Sequence, residues 1–169
     1  MIRLINGRGQ LGTALEKLIK ERKIEADAVI YHTWNVFEKE KEPQEKEYEK
    51  FKRFVDDNLD EKIIFVSTYS EKENYYNYYK QLSEAYLLSN HRRGYVIRLP
   101  TLIGKGICET FREGKAQPYG EIELMTVEEA AEEVMRLVNY EGLVRSFRVK
   151  GVVVPAKLVK KLIDFGKGE

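Results

Sequence analysis

The feature that most constrains this chain is at its start. A short apolar run, Ile2 to Ile5, is followed at once by Gly7, Gly9 and Gly12. Leu11, Leu15, Leu18 and Ile19 then recur at helical spacing. This is a strand, a tight turn and a helix. Glycines in such a turn serve a steep change of direction, close approach of a ligand and tight packing of helix on strand. The backbone N–H groups at the helix start favour an anion. A strand–helix turn without any ligand is the other reading of the same residues.

The pattern then repeats in kind. Ala28-Val29-Ile30-Tyr31 and Ile63-Ile64-Phe65-Val66 are apolar runs of strand length, and Tyr95 to Leu99 is a further strand stopped by Pro100. The Glu- and Lys-rich stretch from Phe37 to Lys50 reads as a surface loop leading into a helix, whose buried stripe is Phe51, Phe54, Val55 and Leu59. A later helix shows Tyr78, Leu82, Ala85, Tyr86 and Ser89 on one face. Val127, Ala130, Ala131, Val134, Leu137 and Val138 define another amphipathic helix. Phe147 to Val154 is strand-like, and Pro155 stands where proline opens a helix. Strands alternating with helices call for a parallel sheet covered on both faces. With 169 residues and no linker or repeat, the expectation is one domain spanning residues 1–169. Ligands of such sheets bind beyond the carboxyl ends of the strands.

A second set of residues carries chemistry. Ser67-Thr68 ends a strand, and Tyr76 and Lys80 are spaced to share one face of the following helix. An ammonium beside a phenol favours the phenolate. A neighbouring hydroxyl can hold the oxygen of a substrate. Together they form an acid–base device for interconverting carbonyl and alcohol by hydride transfer. With Tyr75, Tyr76, Tyr78 and Tyr79 crowded together, an aromatic packing cluster is the plain alternative.

The order of these motifs carries a resemblance. The chain reads strand–GRGQLG–helix, then DAVIYHTW, IIFVSTYS, YNYYKQLSE, YVIRLPTLIGKG and ELMTVEEAAEEVMRLV. It resembles the extended short-chain dehydrogenases/reductases, especially sugar-nucleotide reductases of the dehydrorhamnose reductase type and the NAD-dependent epimerase/dehydratases. Glu84, Arg98, Leu99, Pro100 and Glu128 fill further places of the family's pattern. The resemblance implies a Rossmann-like three-layer α/β fold, with helices on both faces of a parallel sheet. It implies NAD or NADP as cofactor and a small-molecule substrate such as a sugar nucleotide. Thr68 would orient that substrate, Tyr76 would be the acid/base and Lys80 its partner. Asn6, Gly7, Arg8, Gly9, Gln10, Leu11 and Gly12 would form the pyrophosphate turn, with Asn6 where the family has glycine. A member that keeps the fold but binds a nucleotide or a protein partner without turnover is the rival reading.

The departures from the family predict a smaller sheet. DAVIYHTW resembles the family's fourth strand yet follows the first helix directly, so the second and third strands are missing and Ala28–Tyr31 should lie beside the first strand. A second alignment makes it the family's second strand and puts His32 at the ribose-binding acidic position, about 20 residues beyond the turn. The segment between Thr68 and Tyr76 is short for the family, and few residues remain after Gly106 for a substrate lobe.

Composition sets outer limits. The 29 Lys and Arg nearly balance 28 Asp and Glu, which argues against nucleic-acid binding by phosphate neutralisation. Cys108 is the only cysteine, so neither an internal disulfide nor a multi-cysteine zinc site can form. His32 and His91 lack ligand spacing, so no metal is expected. No apolar run approaches the ~18 residues of a membrane span, and the first residues lack a signal-peptide layout. A cytoplasmic enzyme is the expectation, and a homo-oligomer is compatible with it.

Overall fold

A computed structural model describes residues 1–5, 9–68, 70, 72–104, 110–114 and 119–165. The central sheet has five strands: β1 (Ile2–Ile5), β2 (Ala28–Tyr31), β3 (Ile63–Thr68), β4 (Gly94–Leu99) and β7 (Ser146–Arg148). They lie in the order β1-β2-β3-β4-β7, every neighbouring pair parallel. A second sheet has the order β5-β6-β8, from β5 (Thr101–Ile103), β6 (Glu121–Thr126) and β8 (Val152–Pro155), with β6 and β8 antiparallel. The helices are α1 (Gln10–Arg22), α2 (Lys41–Asp57), α3 (Tyr75–Asn90), α4 (Val127–Val138) and α5 (Ala156–Phe165).

The strands are apolar throughout because both faces of the sheet are covered. Ile30, Ile64, Val66 and Ile97 pack toward Leu11 and Leu15 of α1 and Ala130, Ala131 and Val134 of α4. Their alternating neighbours Tyr31, Ile63, Phe65 and Val96 pack toward Phe51 and Val55 of α2 and Tyr79 and Leu87 of α3. This is the three-layer Rossmann-like arrangement with a reduced number of strands. β2 lies directly beside β1, and β3 is on its other side. The alignment that makes Ala28–Tyr31 a second strand would put it on the far side of β1, and the sheet order disagrees with it. β1 is the edge, with no described strand beyond it.

Four sequence expectations are corrected. The Glu/Lys stretch is mostly helix rather than loop, because α2 begins at Lys41. Pro43 falls in its first turn, where a backbone N–H has no intrahelical acceptor to lose. Leu59 lies past the helix end and is exposed. The segment Phe147 to Val154 is divided between two sheets, β7 in the central one and β8 in the smaller one. Gly151 sits between them, where a Cβ would run into the Leu124 carbonyl. On α3, the buried face is not Tyr78, Leu82 and Ala85. It is Asn77, Tyr79, Lys80, Ser83, Glu84 and Leu87, while Tyr78 is exposed.

Both ends of α4 are tied down. Thr126 and Glu129 form a reciprocal capping box at its start. At its end, the ammonium of Lys62, just before β3, donates to the Val138 carbonyl at 2.9 Å and to that of Tyr140. Lys62 is buried, with Glu141 at 3.6 Å and the Tyr95 ring 4.9 Å away. Burial pushes its pKa down, and Glu141 opposes that shift. Replacing Lys62 by Met keeps the apolar stem but strands both carbonyls. The expected loss is about 1–3 kcal/mol of unfolding free energy, read from urea denaturation at an unchanged slope. An unchanged midpoint would show that these carbonyls are satisfied without Lys62.

Candidate functional site

In a parallel sheet all carboxyl ends lie at one edge. Here that edge gathers the start of α1 after β1, residues 32–34 after β2, Thr68 at the end of β3 and the first turns of α3. Asn6, Gly7 and Arg8 of the glycine turn lie outside the described residues. Gly9 is the N-cap of α1, in extended conformation at φ −84°, and Thr13 donates through both N and Oγ1 to its carbonyl. Among the described residues no side chain caps this helix start, and no acidic residue occupies its first turn. The first N–H groups of a helix have no intrahelical acceptor, so those of Gln10, Leu11 and Gly12 are free to face an anion. A Cβ built on Gly9 would meet nothing within 4 Å. Leu11 and Gly12 are buried, whereas Gln10 is exposed.

The other sequence-selected residues converge from α3 and β3. Tyr76 is half-buried and Lys80 is buried. The Lys80 Nζ lies 5.4 Å from the centre of the Tyr76 ring, 5.8 Å from that of Trp34 and 5.6 Å from that of Phe65. It donates to the Val66 carbonyl at 3.4 Å. Thr68 is half-buried, and its Oγ1 accepts from the Ser70 N–H at 3.4 Å. Ser67 is 3% exposed, and its hydroxyl has no partner among the described residues. The structure therefore brings Tyr76, Lys80, Trp34 and the end of β3 together at one place.

Trp34 is held there by a residue that the sequence reading passed over. Gln44 is fully buried, accepts from Trp34 Nε1 at 2.7 Å, and donates to the carbonyls of Asn35 at 2.8 Å and Glu38 at 2.6 Å. The signal was present: Gln44, Tyr48, Phe51 and Val55 recur at helical spacing inside the charged run. A second support is the ion pair of Glu84 with Arg98, in which Arg98 Nε donates to Oε2 at 2.9 Å. Hydrogen bonding to Glu84 raises the Arg98 pKa. The second Glu84 oxygen is buried without a partner among the described residues.

His32 follows β2, on the β3 side of β1. Its Nε2 is buried without a partner among the described residues. Burial lowers its pKa, and the carboxylate of Glu16 pushes the other way. The imidazole is therefore neutral at neutral pH. Among the described residues no group of three or more His, Cys, Asp or Glu is placed to hold a metal ion. No described helix is long and apolar enough to cross a membrane. Cys108 lies outside the described residues.

Comparison with known proteins acts at the level of structure. No protein-family model matches the sequence, and no curated protein matches it. Among solved structures, a UDP-N-acetylglucosamine 4-epimerase from Bacillus cereus superposes with a TM-score of 0.79 at 16% identity, over 99% of this chain and 81% of that one. A dTDP-4-dehydrorhamnose reductase from Clostridium acetobutylicum gives 0.78 at 14% identity, over 99% and 80%. The enzyme WbmG from Bordetella bronchiseptica, in complex with NAD and UDP, gives 0.72 at 13%, over 99% and 78%. The chain has the Rossmann-like fold of these sugar-nucleotide epimerases and reductases, the one its order of motifs resembles, built here with fewer strands.

Proposed function

We propose that this chain, as one domain, is an NAD- or NADP-dependent oxidoreductase or epimerase acting on a sugar nucleotide. The observation that carries this reading is the meeting of Tyr76 and Lys80 at 5.4 Å, beside the end of β3 and on the sheet edge that also holds the uncapped start of α1. Packing of Leu102 and Met125 from the smaller sheet in the central core supports the single domain.

The residues present fit a dinucleotide at its pyrophosphate. The α1 start offers free N–H groups, no competing carboxylate and open space at Gly9. Asn6, Gly7, Arg8, Gly9, Gln10, Leu11 and Gly12 would form that turn, with His32 at the neighbouring strand end. A bound nicotinamide supplies the site that accepts or gives up hydride. Tyr76 Oη gives a proton to the substrate's carbonyl oxygen in reduction and takes it from the alcohol in oxidation. The Thr68 hydroxyl holds that oxygen. Lys80 sets a positive charge beside the ring as negative charge develops on the phenol oxygen.

A second reading has its own observation. Because β1 is the sheet edge, no described strand beyond it can offer an acid to an adenosine ribose. On that reading the chain binds a nucleotide without turnover.

Trp34 is the only tryptophan and lies beside Lys80, so its emission reports on the site. Titration with NADH or NADPH is expected to quench it saturably. Gly9→Val should leave the fold intact, since its Cβ has room, and weaken binding by about 100-fold, or roughly 2.8 kcal/mol. Absence of saturable quenching by either cofactor, or an unchanged Gly9→Val isotherm, would overturn the proposed site.

Chemistry is tested separately, by screening sugar nucleotides for turnover. Tyr76→Phe keeps the ring and is expected to lower kcat by roughly 10²–10⁴-fold with cofactor affinity unchanged. A fully active Phe variant would exclude Tyr76 as the acid/base. A parent chain that binds the cofactor yet turns over no sugar nucleotide would favour the second reading.

A further inference from the structure

The ammonium of Lys80 is buried among rings and has no carboxylate of its own. Lys80 is 6% exposed, and burial of a charge is unfavourable unless something compensates it. The carboxylate one turn along α3, Glu84, is engaged by Arg98. Among the described residues Nζ donates only to the Val66 carbonyl. Around it stand the faces of Phe65 from β3, Tyr76 from the first turn of α3, and Trp34 from the segment after β2. Each ring attracts a cation through its face, and an indole does so most strongly.

The three rings differ in how they are held. Phe65 belongs to a strand paired on both sides, and it packs on Phe51 with ring centres 4.6 Å apart. Tyr76 is part of a helix. Trp34 lies within residues 32–40, which form neither helix nor strand. Its polar tether is Gln44, fully buried at the start of α2. The Gln44 amide nitrogen donates to two carbonyls, those of Asn35 and Glu38, so both of its hydrogens are engaged. The amide is thereby fixed in orientation, and Oε1 faces the indole N–H, which can only donate. An apolar side chain of the same length would fill this space without setting the angle of the indole.

We propose that Gln44 is a positioning residue: by fixing the indole of Trp34 it keeps the Lys80 ammonium beside Tyr76. Its consequence for turnover rests on the Tyr76 and Lys80 reading given above, whereas the placement of Lys80 can be read without substrate or cofactor.

NMR of the full chain with labelled lysine reads that placement. The ε-methylene protons of Lys80, assigned by their loss in Lys80→Met, are expected upfield of those of the other lysines, because ring faces surround them. Gln44→Met should keep the circular dichroism of the parent and lose more than half of this displacement. In a Trp34→Phe background, which has no indole N–H, the same substitution should add little further change. Gln44→Leu takes its place if Gln44→Met fails to fold. With a sugar nucleotide that the parent turns over, the folded Gln44 variant should lower kcat by roughly 10- to 100-fold at unchanged KM, as a small misplacement of a catalytic group does. Lys80 protons without displacement in the parent, or unmoved in a folded Gln44 variant, would overturn the proposal. So would an equal effect of the Gln44 substitution in both backgrounds, which marks a merely structural role, or a displaced Lys80 signal with the kcat of the parent. A parent that turns over no sugar nucleotide counts against the proposed function, while the NMR comparison still decides the placement.

Discussion

The placement of α3 depends on the buried carboxylate of Glu84. The helix meets the sheet through a face that is largely polar: Lys80, Ser83 and Glu84 are buried along with Tyr79 and Leu87. Such a face cannot be held by apolar burial alone. The Arg98 side chain from β4 closes on Glu84, and Ser83 Oγ returns to the Tyr79 carbonyl at 2.9 Å. Loss of Arg98 would leave the buried Glu84 carboxylate uncompensated, whereas Arg98 itself is partly exposed and can reach water. The pair therefore fixes the register of α3 against β4, and Tyr76, two turns earlier, inherits its position from it.

The same face explains what the sequence could and could not reveal. Strands β2, β3 and β4 are legible because two-sided burial demands continuous apolar runs. The α3 face is not. Hydropathy points to Tyr78, Leu82 and Ala85, but the helix buries the side that carries Lys80 and Glu84, because those groups find partners in the sheet. The start of α2 is hidden for a related reason: its first turns are charged, and only Gln44 among them is buried. β5 has three residues and depends on pairing with β6, which no local pattern encodes. For the site, residue order brings Thr68, Tyr76 and Lys80 into view. The wall that Trp34 and Gln44 build around Lys80 is a product of tertiary packing.

Loss of the strands beyond β1 leaves an edge that must not recruit other chains. A free strand edge is a template for pairing, and short length and charge are the usual protections. β1 has both. It is four residues long, and Arg3 in its middle is engaged by Asn58 at 2.9 Å and Glu61 at 2.6 Å. The contrast with β8 is direct, since β8 carries three successive valines and no charged residue. The free edges of β1 and β8 differ in chemistry, one protected and one apolar.

The tethering of α4 at both ends has a mechanical meaning. β6 runs into the helix with no residue between them, and the capping box stiffens that junction. At the far end Lys62 grips the carbonyls of Val138 and Tyr140. A helix of 12 residues is about 18 Å long, and a helix resists bending far more than a loop does. It therefore acts as a strut between the smaller sheet and the floor of the central one. A push on the smaller sheet, which stands over the carboxyl edge where β4 passes into β5, travels along this strut to Lys62. Shear of one sheet across the other would require extraction of that ammonium from its seat.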